Sequence, residues 1–396
     1  ILNNTIMKFF LRITLTMAGI VLLSCNNDKE EAVVAPVKNV TKKEVIENYA
    51  NIAYENYKKA YDDAVILKSA ITTFTTTPTQ VNFDNAKNKW KVARESYGTT
   101  EAFRFANGPI DNTTGPESFL NSWPLDENFI DYVNGAPNAG IVNNEALFPI
   151  ITKSVLKEQN ELGGEKNISV GYHAIEFLLW GQDLTAPSVN KPGQRPYTDY
   201  IIAGGTAANQ ARRTAYLVAC SDLLTDNLLE VVNQWKVGGA YRTTFLGLPE
   251  NEALKNMYLG ITTLISAELP VERMEVALGN ADQEDEHSCF SDNTHRDIIL
   301  NLQGVINVYQ GKYGSIDGAS LEDLVSQANV QANTETNASI ALSLTKANAL
   351  FNPFDLAISG GATSVEGAKV KLAAMQFKDL GSNLLNGATK IGIIVN

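Results

Sequence analysis

Between Ala53 and Ile71 the apolar residues Ala53, Tyr57, Ala60, Ala64, Leu67 and Ile71 recur at spacings of four and three. That period lays them along one face of an α-helix and fits no strand, whose side chains alternate with a period of two. Thr41 and Glu44, three residues apart, form a capping-box pair that opens the helix, and Thr76-Thr77-Pro78-Thr79 closes it. A stripe of this length must be buried against other helices, so the chain is constrained to a bundle.

The same pattern returns along the sequence. A second helix is predicted from about Val81 to Phe105, with further helical pattern at Asn144–Gln159 and Val170–Trp180. A long helix begins near Asn209, with Leu217, Leu224, Leu228, Val231 and Trp235 as its seam, and another spans Asn251 to Glu268. Helices are predicted at roughly 294–310, 319–351 and 363–388. Residues 107–135, rich in Gly, Pro, Asn and Asp, form a long irregular segment of the kind that often carries function. Residues 185–197 read as loop. Strand signals are weak almost everywhere. The prediction is an all-α protein of two helical bundles, residues 41–205 and 206–396, with the site between them. Both halves contain long helix pairs joined by Gly- or Pro-containing turns, which is compatible with an ancient duplication. No sequence repeat proves one.

Ahead of the bundles lies an export signal. Met7 is the expected start, Lys8 and Arg12 form a positive region, and Ile13–Leu23 is an apolar run too short to span a bilayer. It ends in Leu22-Leu23-Ser24-Cys25, a lipobox pattern. Residues 1–24 thus read as a signal peptide, Cys25 as the lipidated first residue of the mature chain, and residues 25–40 as a tether. The expected location is the outer membrane, on its periplasmic or cell-surface face, with the lipid as the only membrane contact. Net charge over 396 residues is −12. That argues against a nucleic-acid partner, because phosphate backbones call for a basic surface, and it is compatible with cation binding. Cys220 sits in an apolar helical stretch and reads as core; a disulfide to Cys289 is open in an oxidising compartment.

All three histidines, His173, His287 and His295, fall in two short motifs. The first is Gly171-Tyr172-His173-Ala174-Ile175-Glu176-Phe177. On a helix His173 and Glu176, three apart, project together as a nitrogen and a carboxylate ligand, a pairing suited to zinc or iron. Gly171 allows another backbone or a ligand to come close. The second motif is Glu284-Asp285-Glu286-His287-Ser288-Cys289-Phe290-Ser291-Asp292-Asn293-Thr294-His295-Arg296-Asp297. Asp292 or Asn293 is placed to cap the helix that begins near Thr294. Arg296 is placed to pair with a carboxylate or to clamp an anion. Each motif has a plainer reading, a helical His–Glu hydrogen bond and a solvated charge run. Random placement would rarely put every histidine of the chain in these two segments. HExxH, CxxC, the Walker loop and GxSxG are all absent from the sequence, which sets aside the commonest zinc-peptidase, zinc-ribbon, nucleotide and serine-hydrolase chemistries.

At these residues the chain resembles the imelysin family, marked by a GxHxxE motif that Gly171, His173 and Glu176 match. The likeness extends through Glu284–Asp297 and through Trp90, Tyr97, Glu101, Phe103, Arg104 and Phe105 to Gly108-Pro109-Ile110-Asp111. It also takes in Trp123-Pro124-Leu125-Asp126-Glu127, Asp131 and Tyr132, so it covers about residues 40–396. The resemblance implies two helical bundles with the motif residues gathered between them, export as a lipoprotein, and a link to iron acquisition. It also implies a peptidase label, from metal-dependent proteolysis.

Three functions follow as expectations. In the first, the protein binds iron, another metal or a small metal-bearing ligand at the envelope. His173, Glu176 and His287 are then the metal ligands, iron or zinc being the candidate ions. Gly171, Glu101, Arg104 and Glu284 support the site, together with Asp285, Glu286, Ser288, Ser291, Asp292, His295 and Arg296. In the second, the same three ligands hold zinc in a metallopeptidase and a nearby glutamate activates water. In the third, the motifs only lock two bundles together in a structural surface module.

Overall fold

The computed structural model describes residues 38–395. Within them the fold is all-α apart from a two-stranded hairpin at 312–317. The expected signal peptide, the lipidated Cys25 and most of the tether lie outside the described residues.

Helix α1 runs Lys42–Thr76. Its cap is the predicted box: the Glu44 N–H donates to Thr41 Oγ1 at 3.2 Å and the Thr41 N–H donates to Glu44 Oε2 at 2.7 Å. All six residues of the stripe are buried. At 35 residues the helix is about 50 Å long, enough to serve as a common wall. Helix α2, Gln80–Gly98, returns along it and ends in a tight turn at Thr99–Phe103. After the irregular segment come α3, Gly171–Trp180, and α4, Gln210–Trp235. Helices α2 and α4 both pack along α1, and α3 packs against α2 and α4, so these four make the first bundle.

The second bundle begins with α5, Glu250–Thr263, which runs on through a π-helical stretch at Leu264–Glu275 to Asn280. It is completed by α6, Thr294–Gln310; α7, Leu321–Ala328; α8, Val330–Asn348; the short α9, Phe354–Ile358; and α10, Val365–Lys390. Helix α10 packs on α8 and on the π-helical stretch, and α6 packs on both of those. The groups are not separate bodies. Helix α1 also touches α5, α2 touches α6, and the described residues form one compact unit. No break in packing falls at residue 205, because α4 lies beyond that point in sequence yet packs on α1.

Local departures from the predicted elements have physical causes. The helix expected at 144–159 is confined to Lys153–Gln159, since Pro149 has no N–H to donate and pushes Phe148 out of the α region. The helix expected to stop at Glu268 continues past Pro270, where the widened ladder absorbs the missing donor. The helix expected at 319–351 is broken at Asn329, whose side chain accepts from the Ala332 N–H at 2.8 Å and starts α8 afresh.

Candidate functional site

Helix α3 is buried over all ten of its residues, the pattern of a helix enclosed on every side. Its start depends on Gly171. The φ there is +91°, and a Cβ would lie 2.7 Å from the carbonyl oxygen of Leu120. That same carbonyl accepts the Tyr172 N–H at 2.8 Å, so the irregular 107–135 segment is pinned to the head of the helix. One turn on, Nδ1 of His173 sits 3.0 Å from Oε2 of Glu176, the contact predicted from their spacing. Both side chains are fully enclosed, and Nε2 of His173 has no hydrogen-bond partner.

The second motif arrives from the other bundle. Its chain turns between Glu286 and Asn293, where Asp292 takes a left-handed conformation at φ +53°, and then enters α6. Asn293 is the first residue outside α6 but gives no side-chain cap; the Thr294 hydroxyl instead accepts the Ser288 N–H at 2.9 Å. Nδ1 of His287 lies 2.8 Å from Oδ2 of Asp297, and the Ser288 hydroxyl donates to the same oxygen. The other Asp297 oxygen accepts from Nη2 of Arg94 at 3.0 Å, and Arg94 Nη1 donates to Asn121 Oδ1 at 2.6 Å. The halves interlock at Ser291, whose N–H and hydroxyl donate to Glu176 Oε1 at 3.0 and 2.7 Å. The rings of His173 and His287 meet edge to face, with centroids 4.7 Å apart.

His287 forms part of the wall of a cleft of about 420 Å³, facing Trp123, Asn121, Arg104, Glu117 and Arg273. Among the described residues no hydrogen bond engages Nε2 of His287. Arg273 stands on the π-helical stretch and donates to Glu101 Oε2 at 2.6 Å and to Asn301 Oδ1 at 2.7 Å. Arg104, from the turn after α2, thus belongs to the wall of this cleft, and Glu101, from the same turn, is buried behind it as the partner of Arg273.

Burial sets the charge states. It holds His173 well below the ordinary imidazole range, with Arg94 adding to the effect, and does the same to His287 with Arg273 adding. Both rings are therefore neutral, the form in which imidazole binds metals. Burial pushes Glu176 up to about 8 against the hydrogen bonds from Ser291. Burial also opposes the ionised form of Asp297, but Arg94 and His287 outweigh it and hold the carboxyl well below the usual range.

Several expected site residues lie elsewhere. Glu284 faces Glu127, and Asp285 is engaged by Asn280 at 2.7 Å. His295 and Arg296 sit on the first turn of α6 and face a different cleft. Arg296 pairs there with both oxygens of Glu95 at 2.6 and 2.7 Å, so its guanidinium is already occupied. Glu286 and Asp292 face a separate acidic cluster. Cys220 and Cys289 are both free and buried. Arg94, Asn121, Glu117, Arg273 and Asp297 also build the site and are not among the site residues expected from the sequence. Arg94 did carry a signal, since it stands four after Trp90 and three before Tyr97 on the apolar stripe of α2.

The geometry bears on how a metal would be held. Among the described residues His173, Glu176 and His287 do not bring three ligand atoms within 4.8 Å of one another. Glu176 and Asp297 instead each engage the Nδ1 of a histidine, the arrangement by which an outer carboxylate fixes a ligand's tautomer. The buried, unpartnered Nε2 of His173 fits a metal-ligand role. Two imidazoles in such a setting suit iron or zinc, with the remaining positions filled from the cleft.

The chain matches the family model described as imelysin, a peptidase-labelled family, over residues 53–382. It is 23% identical over 338 residues to iron-regulated protein A of Synechococcus elongatus, a match covering 82% of this chain and 80% of that protein. Its fold is similar to a crystal structure from Parabacteroides distasonis, reported as that of an iron-regulated protein A precursor. The TM-score is 0.65 at 17% identity, over 88% of this chain and 96% of that one.

Proposed function

The chain belongs to the imelysin family, and from that premise we propose that it is a binding protein that holds iron, as an ion or within a small metal-bearing ligand, beside His173 and His287. The observation that carries this reading is the paired carboxylate–histidine contact, Glu176 with His173 at 3.0 Å and Asp297 with His287 at 2.8 Å, from opposite bundles. Asp297, ionised, orients His287 through Nδ1 and leaves its Nε2 as the ligand atom, and Glu176 would do the same for His173 in the ionised form that a cation beside it favours. Two neutral nitrogens satisfy only part of an iron coordination sphere. The rest is left to the cleft, whose wall carries Glu117, Glu161, Glu165, Glu268 and Glu272 against two arginines that are already paired, a lining that favours a cation and offers oxygen donors to it. The name of the Synechococcus relative, iron-regulated protein A, favours iron over zinc. Anchoring by a lipid on Cys25 at the outer membrane, with export directed by residues 1–24, completes the proposal and fits a role in iron uptake.

The peptidase reading draws less support. Catalytic zinc sites present three protein ligands and an open water position, and three ligand atoms do not converge here. The structural reading has the burial of both histidines in its favour, but it gives no role to the unpartnered His173 Nε2 or to the cleft.

Elemental analysis of the purified protein and calorimetric titration with ferric citrate and with zinc test the proposal. Near-stoichiometric iron, weakened at least about tenfold in His173→Gln and His287→Gln, is the expected result. No affinity for either probe, or unchanged affinity in His173→Gln, overturns it. Zinc binding with chelator-sensitive proteolysis lost in Glu176→Gln would favour the peptidase reading instead.

A further inference from the structure

Away from the histidine cleft, three carboxylates from distant parts of the chain converge. Asp183 follows α3, Asp292 lies in the turn before α6, and Asp355 is in α9. One carboxylate oxygen of each lies within 4.8 Å of the other two. Asp183 and Asp355 are each 3% exposed. Among the described residues none of the three forms an ion pair.

Their oxygens are set in a directed way. Asp183 Oδ1 accepts the N–H and hydroxyl of Thr185 at 3.0 and 2.8 Å, which leaves Oδ2 buried without a partner. Asp355 Oδ1 is buried and unpartnered as well. Next to them stands Glu286, 1% exposed, with neither oxygen in a hydrogen bond. The carboxylates of Asp355, Asp292 and Asp183 and the hydroxyl of Thr294 act on Glu286. Ionised carboxylates buried this closely are strongly unfavourable without a cation, and the nearest side-chain cation, Lys91 across the cleft from Asp292, acts on that residue without pairing with it.

We propose that Asp183, Asp292 and Asp355 bind a hard divalent cation, calcium being the best match, with Glu286 behind them as a fourth negative charge. The donors are all oxygen, which selects the calcium and magnesium class over metals that prefer nitrogen or sulfur. Calcium–oxygen bonds of about 2.3–2.6 Å place opposite ligands about 4.6–5.2 Å apart, and the three oxygens here lie inside that span. Asp292 opens onto a cleft of about 470 Å³, an entry path that leaves room for water ligands. The ion would staple the segment after α3, the turn before α6 and helix α9. That turn carries Ser291, the donor to Glu176, so the cation would hold in place the segment that completes the histidine cleft. The site does not depend on iron binding.

The test is equilibrium dialysis of the full chain, stripped with chelator, against calcium, together with thermal melts in calcium, in magnesium and in neither. One calcium per chain is expected, with a rise of several degrees in Tm in calcium. Asp355→Asn and Asp292→Asn should lose both the ion and the shift. Asp285→Asn, in the same acidic motif but outside the cluster, should keep them. Wild-type protein that binds no calcium and shows no shift overturns the proposal, whether or not the variants fold. Retention of one calcium in both Asp355→Asn and Asp292→Asn overturns it equally.

Discussion

Nδ1 of His287 lies 2.8 Å from Oδ2 of Asp297, and the other oxygen of that carboxylate holds Arg94 at 3.0 Å. One buried acid thus orients a candidate ligand from one motif and neutralises a guanidinium from the opposite bundle. Asp297→Asn keeps the shape but leaves Arg94 buried without its counter-charge. A loss of about 3–5 kcal/mol in denaturant unfolding is expected, since breaking a buried pair from one side leaves an uncompensated charge. Iron affinity should fall about 10–100-fold, as for other outer carboxylates of metal sites. A variant as stable as wild type would show that Arg94 is compensated elsewhere.

Ser291 ties the second motif to Glu176 through its N–H and hydroxyl. Ser291→Ala removes one of the two donors. Equilibrium unfolding should show a loss of about 1–3 kcal/mol, the cost of leaving a buried acceptor short of one partner. Neutrality there would mean that the backbone N–H alone satisfies Glu176.

Gly171 combines a positive φ with a near approach of the Leu120 carbonyl. Gly171→Ala should destabilise by at least about 2 kcal/mol, because a left-handed alanine costs roughly 1–2 kcal/mol before any clash is counted. Urea unfolding checks it; an unchanged midpoint would show that the start of α3 gives way freely.

Glu117 lines the cleft beside Arg104, 3.3 Å from its Nε, yet burial pushes its carboxyl up to about 7. The unfolded group titrates near 4.5, so between those values the folded state holds the extra proton. Stability attributable to this group is present below pH 4.5 and lost as pH rises through about 7, a loss on the order of 3 kcal/mol. Glu117→Gln should flatten that part of the pH–stability curve. A mutant curve parallel to wild type between pH 4.5 and 7 would contradict the assignment.

What could be read from the sequence was what is local. The Thr41–Glu44 box and the α1 stripe depend on neighbours within a few turns, and the i, i+3 rule placed His173 against Glu176. Partners brought in from far along the chain left no such trace. Arg94 and Asp297 are 203 positions apart, and Asp183, Asp292 and Asp355 meet only through the fold. The acidity of the second motif misled in proportion: Glu284, Asp285 and His295 share its sequence but face other surroundings. The helix predicted to stop at Glu268 continues past Pro270, because a π-helical ladder tolerates the missing donor and delivers Arg273 to Glu101. The placement of α4 in the first bundle is likewise set by packing on α1 and not by its position in the chain.

X-ray absorption at the iron edge, on protein loaded with ferric citrate, tests the central claim most directly. Imidazole scattering from two histidines is predicted in the wild type, reduced to one in His173→Gln and in His287→Gln. Iron bound with no histidine signal, or with a signal unchanged in both variants, would contradict it.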